Sequence, residues 1–227
     1  LENARLFNET EQRNAELAVI NSVQEGLVAE MDMQGIYDLV GDKVRDLFDA
    51  QTVSIVTFNY ESDLEILQYY HEKGERHYPG PRTIDEFRRS LIKNKKLVLI
   101  NENLPLEWKK ITGESVEAVP GTELPKSVIL VPLIVGEIVR GYVSLQNIDM
   151  EFAFSESDVR LLSTLANSMS VALENARLFN ETEQRNAELA VINSVQQGLV
   201  AEMDMQGIYD LVGNKIRALF NAQVTAI

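Results

Sequence analysis

Cysteine is absent from this chain of 227 residues. Structural disulfides, thiolate nucleophiles and Cys-ligated zinc or iron–sulfur centres are thereby excluded. Histidine is scarce. His71 and His77 stand outside any His-x-x-x-His pair or carboxylate cluster that would hold a metal. Positive charge is in short supply: 21 Lys and Arg face 35 Asp and Glu, a formal net charge of -14. Such a surface lacks the clustered cations that neutralise phosphates, which argues against nucleic acid and against an anionic membrane surface as partners. No apolar run approaches the ~18–20 residues needed to cross a bilayer, and no signal peptide is visible. Gly136 and Gly141 occupy turn and strand positions without phosphate-loop spacing. A cysteine-free chain fits a reducing compartment, so the expectation is a cytoplasmic protein, and a chain opening on Leu1 reads as an interior piece of a longer one. What is plentiful is apolar material, 45% of residues, enough for a sizeable core.

The most informative feature is internal. Residues 1–55 recur as residues 173–227, an offset of 172, with eight differences: Glu25/Gln197, Asp42/Asn214, Val44/Ile216, Asp46/Ala218, Asp49/Asn221, Thr52/Val224, Val53/Thr225 and Ser54/Ala226. That period exceeds the 20–50 residues of solenoid repeats and matches a whole domain plus its connector. The expectation is a tandem array of which this chain holds one full period and the start of the next. The second copy ends at the position of Ile55, inside the first apparent strand. Its apolar helix face, Ile208, Leu211, Val212, Ile216 and Leu219, then needs a surface on a neighbouring chain or replaces the matching segment of one.

Periodicity supplies the elements. Residues 2–30 read as a helix, polar nearly all round from Glu9 to Glu16 and then apolar at Leu17, Ile20, Val23 and Leu27. Asp32 caps a second helix through Leu47, with Ile36, Leu39, Val40, Val44, Leu47 and Phe48 on one face. Thr52–Tyr60 and Leu64–Glu72 read as paired strands, Thr83 as the cap of a short helix ending at Lys93, and Lys96–Ile100 as a third strand. Asn101 to Pro125 reads as a long irregular loop carrying the single Trp108, of a length usual for lids and binding loops or else for mobile segments. Ser127–Val135 and Ile138–Ile148 form a hairpin around Gly136-Glu137. Ser155 starts a long helix with a heptad-like seam, Leu162, Leu165, Met169, Ala172, Ala176 and Phe179. The seam breaks at Glu183 and Asn186 and resumes in a new phase at Leu189, Ile192, Val195 and Leu199.

The segment VPLIVGEIVRGYVSLQNID (131–149) followed by FSESDVRLLSTLANSMSVALENARLFNETEQR (154–185) resembles the end of a GAF domain, and AVINSVQEGLVAEMDMQGIYDLVGDKVRDLF (18–48) resembles its start. The resemblance implies an α+β fold: an antiparallel sheet of five or six strands, helices on one face, and a ligand pocket on the other beneath the long loops. It divides the chain into a connector helix (1–16), a GAF-like sensor domain (17–176), and a connector helix with the truncated start of a second repeat (177–227). It implies a homodimer paired through the incoming and outgoing helices, in a multi-GAF bacterial signalling protein of sensor-kinase or nucleotide-cyclase type, as in two-component systems. No output domain is present, so no enzymatic activity is expected here. GAF variants that reduce methionine sulfoxide or attach bilins use a cysteine, which this chain lacks. Ligand and cofactor remain unspecified.

Several residues are candidates for a ligand site. Some cyclic-nucleotide-binding GAF domains carry Asn-Lys followed later by Phe-x-x-x-Asp-Glu; here Asn94-Lys95 and Phe154 with Asp158 match, while Val159 replaces the Glu. The competing reading of Ser155-x-x-Asp158 is a helix-start capping pattern. Tyr70 and His71 lie on opposite faces of their strand by alternation, and a single His could hold haem as in some GAF sensors. The basic run from Arg88 to Lys96 offers either an anion-attracting rim or cations solvated at a helix C-terminus.

Overall fold

The computed structural model describes residues 2–30, 32–48, 50–116 and 124–201, with helical positions 207, 209–210, 212–214 and 217 beyond them. Residues 117–123 of the expected loop, and Ile208, Leu211, Ile216 and Leu219 of the second copy, lie outside the described residues. The chain divides into two compact units, Leu1–Ala176 and Arg177–Ile227.

The first unit begins with α1 (Glu2–Ala29) and α2 (Met33–Leu47). Asp32 caps α2 by accepting from the Gly35 N–H at 3.0 Å, which satisfies one of the helix's orphan donors. Strands β1 (Thr52–Asn59) and β2 (Leu64–Glu72) follow, then the two-residue strands β3 (Glu75–Arg76) and β4 (Arg82–Thr83). Helix α3 (Glu86–Asn94), β5 (Val98–Ile100) and α4 (Leu104–Thr112) precede the hairpin of β6 (Ser127–Val135) and β7 (Ile138–Asn147). Helix α5 (Glu156–Ala201) closes the unit and continues into the second.

The sheet is antiparallel and seven-stranded, in the order β3-β2-β1-β7-β6-β5, with β4 on β2. Five longer strands were legible in the sequence; the short β3 and β4 take the count beyond the expected five or six. Close packing fixes two glycines. A Cβ on Gly141 would lie 1.9 Å from the Val56 carbonyl oxygen, so β1 and β7 approach only because β7 has no side chain there. A Cβ on Gly41 would lie 2.4 Å from the Tyr69 ring, which seats α2 directly on β2.

Each sheet face carries its own core. One buries Val53, Ile55, Tyr69, Val131, Val143 and Leu145 against Val23 and Leu27 of α1, Ile36, Val40 and Val44 of α2, and Leu162, Leu165 and Met169 of α5. The other buries Val56, Phe58, Leu130 and Tyr142 against Phe87 and Leu91 of α3 and Leu104 of α4.

Three expectations are corrected. The expected loop Asn101 to Pro125 contains α4, which starts at Asn103 with a left-handed φ of 44° and no side-chain cap, so no capping signature announced it. Asp85, not Thr83, caps α3, by accepting from the Arg88 N–H at 2.9 Å. The heptad-like stretch Leu162 to Ala176 faces its own sheet: Leu162 and Met169 are fully buried, and Ala172 packs on the same core. Spacings of three and four make an apolar stripe that suits a sheet as well as a partner helix. Phe179, in the second unit, is 46% exposed.

Helices α1 and α5 run in the same direction within the first unit. Glu16 accepts a hydrogen bond from Ser157, and further along both helices Gln24 donates to Ser168 at 3.4 Å. In the second unit, Arg177 pairs with Glu181 one turn further along α5 at 2.6 Å.

Candidate functional site

The face beneath α3 and α4 holds a buried charge network. Glu65 on β2, 3% exposed, receives Arg82 at 2.8 Å on one oxygen. Its other oxygen accepts from the Tyr142 hydroxyl at 3.0 Å and faces Arg88 Nε at 3.4 Å. Arg88 also pairs with Asp85 at 2.6 Å. A carboxylate removed from water needs such a ring of donors, because burial without them costs several kcal/mol. Burial works against the Arg88 charge, but Tyr142, Asp85 and Glu65 outweigh it and hold the guanidinium above its ordinary value. Burial pushes the Tyr142 phenol up to about 12, so it is the proton donor to Glu65 at neutral pH.

Aromatic rings roof this network. Phe87 of α3 and Trp108 of α4 stack with centroids 4.1 Å apart and planes 3° apart. The Arg88 guanidinium lies 5.7 Å from the Phe87 ring, 6.0 Å from Trp108 and 5.9 Å from Tyr142, within cation–π range. Beside it the sheet floor turns small and polar. Ser54 pairs across to Tyr70 and to Ser144, and Ser54 and Ser144 are 5% and 2% exposed. The Ser144 hydroxyl is buried without a hydrogen-bond partner, an uncommon state for a native polar group. Tyr70, on the same row, donates to Glu72 at 2.7 Å.

A second cluster joins this roof to α5. The Asn101 side chain donates to the Phe154 carbonyl at 2.7 Å and accepts from the Phe154 N–H at 3.3 Å. The Asn101 carbonyl accepts from Phe152 N–H at 2.6 Å and from the Ser127 hydroxyl at 3.2 Å. Two residues on, the Asn103 N–H donates to Glu151 at 3.0 Å. The chain into α4 is thus hydrogen-bonded to the chain into α5. Phe152 sits there at a φ of 54°, a left-handed conformation that a bulky side chain rarely takes. An open cleft of about 490 Å³ borders this joint, lined by residues including Glu102, Leu104, Lys126 and Glu151.

The six sequence candidates are dispersed. Tyr70 faces the α3–α4 side, whereas His71, opposite Val53 in the ladder, shares the other face with buried Tyr69. Asn94 donates to Ser90 within α3 at 3.1 Å. Lys95, at the end of that helix, reaches Glu137 at 2.6 Å, which lowers the Glu137 pKa. Phe154 is buried in the core shared with α1, α2 and α5. Asp158 accepts from the Ser155 N–H at 2.8 Å and hydroxyl at 2.7 Å, while its own N–H donates back to Ser155 at 3.2 Å, a reciprocal helix cap. Sequence reasoning did not single out Glu65, Tyr142, Ser144 or Asn101. An acidic residue between Leu64 and Ile66 in a strand was the one local signal.

The first unit is an α+β fold, an antiparallel sheet with helices packed on both faces. The sequence model of the GAF-domain family matches residues 30–174, more than half of the chain, and the chain belongs to that family. Membership places it among regulatory signalling domains. Solved structures agree in fold. The GAF domain of an Acinetobacter phosphoenolpyruvate-protein phosphotransferase superposes with a TM-score of 0.59 at 16% identity, over 73% of this chain and 96% of that one. The photosensory core module of the Stigmatella aurantiaca phytochrome gives 0.66 at 13% identity, over 92% of this chain and 46% of that one. A free methionine-R-sulfoxide reductase from Neisseria meningitidis, in complex with its substrate, gives 0.56 at 15% identity, over 72% and 90%. No curated protein matches in sequence. No helix among the described residues is long and apolar enough to cross a membrane.

Proposed function

We propose that this domain is a cytoplasmic sensor which binds a small ligand between the sheet and the α3–α4 roof and passes the event to α5. The observation that carries this reading is Asn101. It is bonded to the start of α5 through Phe154, and α4 begins a few residues after it. A ligand that lifts the roof therefore pulls on the first turn of α5. A signal needs two arrangements of the same contacts that the ligand binds unequally, and the roof-on and roof-lifted states supply them. Relay through paired helices in a homodimer is the part of the proposal supported by exposed apolar side chains on the helices of the first unit: Leu17 and Val28 of α1 are 55% and 81% exposed, and Val171 of α5 is 61% exposed. On this reading the domain is not itself an enzyme, and a catalytic output domain, if there is one, lies outside this chain.

Calorimetry against a metabolite panel, with hydrogen exchange over residues 149–161, tests the reading. A ligand that binds and changes exchange at the start of α5 supports it. Binding with no change there refutes the relay, and sedimentation as a monomer at high concentration refutes the paired-helix part.

A ligand-free spacer is the second reading. It is favoured by one observation: the face beneath α3 and α4 is filled by its own side chains, Tyr142 being 2% and Phe87 2% exposed. On that reading no metabolite binds, and dimerisation persists when the roof is altered.

A further inference from the structure

The pairing of α1 and α5 leaves one exposed apolar group without a role, at the joint between α4 and the start of α5. We infer that this joint is a contact surface for a second copy of this chain, separate from the helix pairing proposed above and independent of any ligand. Helix α4 packs on the sheet face opposite to α1 and α5. Its Leu106 is 48% exposed, and Met150 and Phe152, on the chain into α5, are 53% and 66% exposed. Asn103 ties the two together: its N–H donates to Glu151 at 3.0 Å, and its carbonyl accepts from the Leu106 N–H at 3.0 Å. Exposed apolar side chains scattered singly need no explanation; these are gathered and rigidly held. The Asn147 side chain accepts from the Asp149 and Met150 N–H groups at 3.1 and 2.8 Å. The Met150 carbonyl faces the Ser127 hydroxyl at 2.9 Å, and the Phe152 N–H is fixed on the Asn101 carbonyl at 2.6 Å. The backbone thus holds Phe152 at its left-handed φ of 54° with its ring largely in solvent. It is an aromatic anchor ordered before any partner arrives, so docking costs little further ordering.

The occupant follows from what lies beside the anchor. Glu151, between Met150 and Phe152, lines the open cleft of about 490 Å³, to which Leu104 and Pro105 of α4 contribute apolar wall. A surface that bears both a projecting ring and a recess is complementary to its own twofold copy, the ring of each chain entering the recess of the other. The charges divide in the same way. Glu102 and Glu151 stand at the cleft. Leu106 is followed three residues on by Lys109, exposed in the last turn of α4 and without an ion pair among the described residues. Across a twofold axis the Lys109 of one chain meets the Glu102 and Glu151 carboxylates of the other, and the reverse. A basic-rimmed pocket on an unrelated protein would suit Phe152 but leave Leu106 and Lys109 unmatched. The net charge of -14 sets two copies apart at long range, but at ~0.15 M salt that repulsion is screened beyond ~8 Å, so short-range matching decides. A few side chains per copy fall short of the ~20–30 residues a side of a standard interface, and the contact is accordingly weak and concentration-dependent.

Sedimentation over a concentration series, on the parent chain and on Val171→Asp, separates this contact from the paired helices. Asn tolerates a left-handed φ, so Phe152→Asn removes the ring and keeps the loop; an unchanged circular dichroism melt verifies that it folds. The expected result is self-association that persists in Val171→Asp and that Phe152→Asn weakens there by at least ~10-fold. Lys109→Glu should weaken it too, and adding Glu102→Lys should restore it, because the reversed charges again face each other across the axis. With Phe152→benzoylphenylalanine, in a mixture of isotopically labelled and unlabelled chains, the photoprobe should crosslink between chains to residues 102–109. A Val171→Asp chain that stays monomeric at high concentration, a Phe152→Asn variant that associates as its parent does, or crosslinks confined to the photoprobe's own chain overturn the inference; in the first case the paired helices stand. Association that falls with Phe152→Asn and is indifferent to Val171→Asp supports this contact and overturns the helix pairing instead.

Discussion

Asn101→Ala isolates the joint between the roof and the outgoing helix. The substitution deletes one good hydrogen bond, to the Phe154 carbonyl at 2.7 Å, and one long one, from the Phe154 N–H at 3.3 Å. Both backbone groups of Phe154 are part-buried, so they lose a partner without full access to water. A net hydrogen bond contributes about 1 kcal/mol, and an abandoned buried partner costs about 1–3 kcal/mol. The long bond contributes little, which sets the expected loss at about 2 kcal/mol. The contacts of the Asn101 carbonyl with Phe152 and Ser127 survive, because they are backbone contacts. The loss therefore concentrates at the start of α5, where a local opening cheaper by that amount raises amide exchange by roughly 30-fold. Urea denaturation measures the stability term, and exchange followed by mass spectrometry locates it in residues 150–158. Asn101→Asp provides a sharper version: it keeps an acceptor for the Phe154 N–H but sets a carboxylate against the Phe154 carbonyl, and should lose at least as much. An alanine variant within about 0.5 kcal/mol of the parent, with exchange over 150–158 unchanged, would refute the coupling.

Further outcomes follow from the cores. Glu65→Gln strips the charge that Arg82, Arg88 and Tyr142 surround; a loss of about 2–3 kcal/mol is expected, less than for an isolated buried pair because Arg88 retains Asp85. A double-mutant cycle with Arg88→Met should show coupling of about 1 kcal/mol or more, and simple additivity would count against the network. Gly141→Ala, whose Cβ would meet the Val56 carbonyl at 1.9 Å, should leave no soluble folded protein, whereas Gly136→Ala, with open space but a φ of 59°, should fold and lose only about 1 kcal/mol. In alkali, burial raises Tyr37 and Tyr142 to about 12. Their phenols stay neutral in the folded chain after the unfolded chain begins to ionise near pH ~10. Stability should thus be intact below that pH and fall by on the order of 2–3 kcal/mol per phenol as pH climbs toward 12; absorbance at ~295 nm rising together with loss of helical signal checks it, and phenol ionisation without unfolding contradicts it.

Much of the fold was readable because its signals are local. The Asp32 cap, the stripe Ile36, Val40, Val44, and the β6–β7 hairpin are each contained in a short window, and all form as expected. Helix α4 escaped notice because its start, Asn103 with Pro105 in the first turn, uses a left-handed residue instead of a capping side chain. The Leu162 to Ala176 stripe was visible but its direction was not, since spacing tells how apolar residues align and not what they face. The site was the least legible part. Glu65 and Tyr142 are 77 positions apart and Asn101 and Phe154 are 53 apart; only sheet register and chain crossing bring them together. Asp158 attracted a ligand motif although its bonds are those of a helix cap, because the same short pattern serves both purposes.

The shared direction of α1 and α5 has a mechanical meaning. A chain that comes in along one flank of the sheet and goes out heading the same way on that flank never doubles back, so such a unit can be spliced into a longer helical track without flipping the track's polarity. In the relay proposed above, twist or thrust arriving at the amino-terminal side would leave at the carboxyl-terminal side with its sense preserved. A unit whose two flanking helices ran oppositely would instead make a U-turn, and any number of them in line would alternate the sense of the stroke.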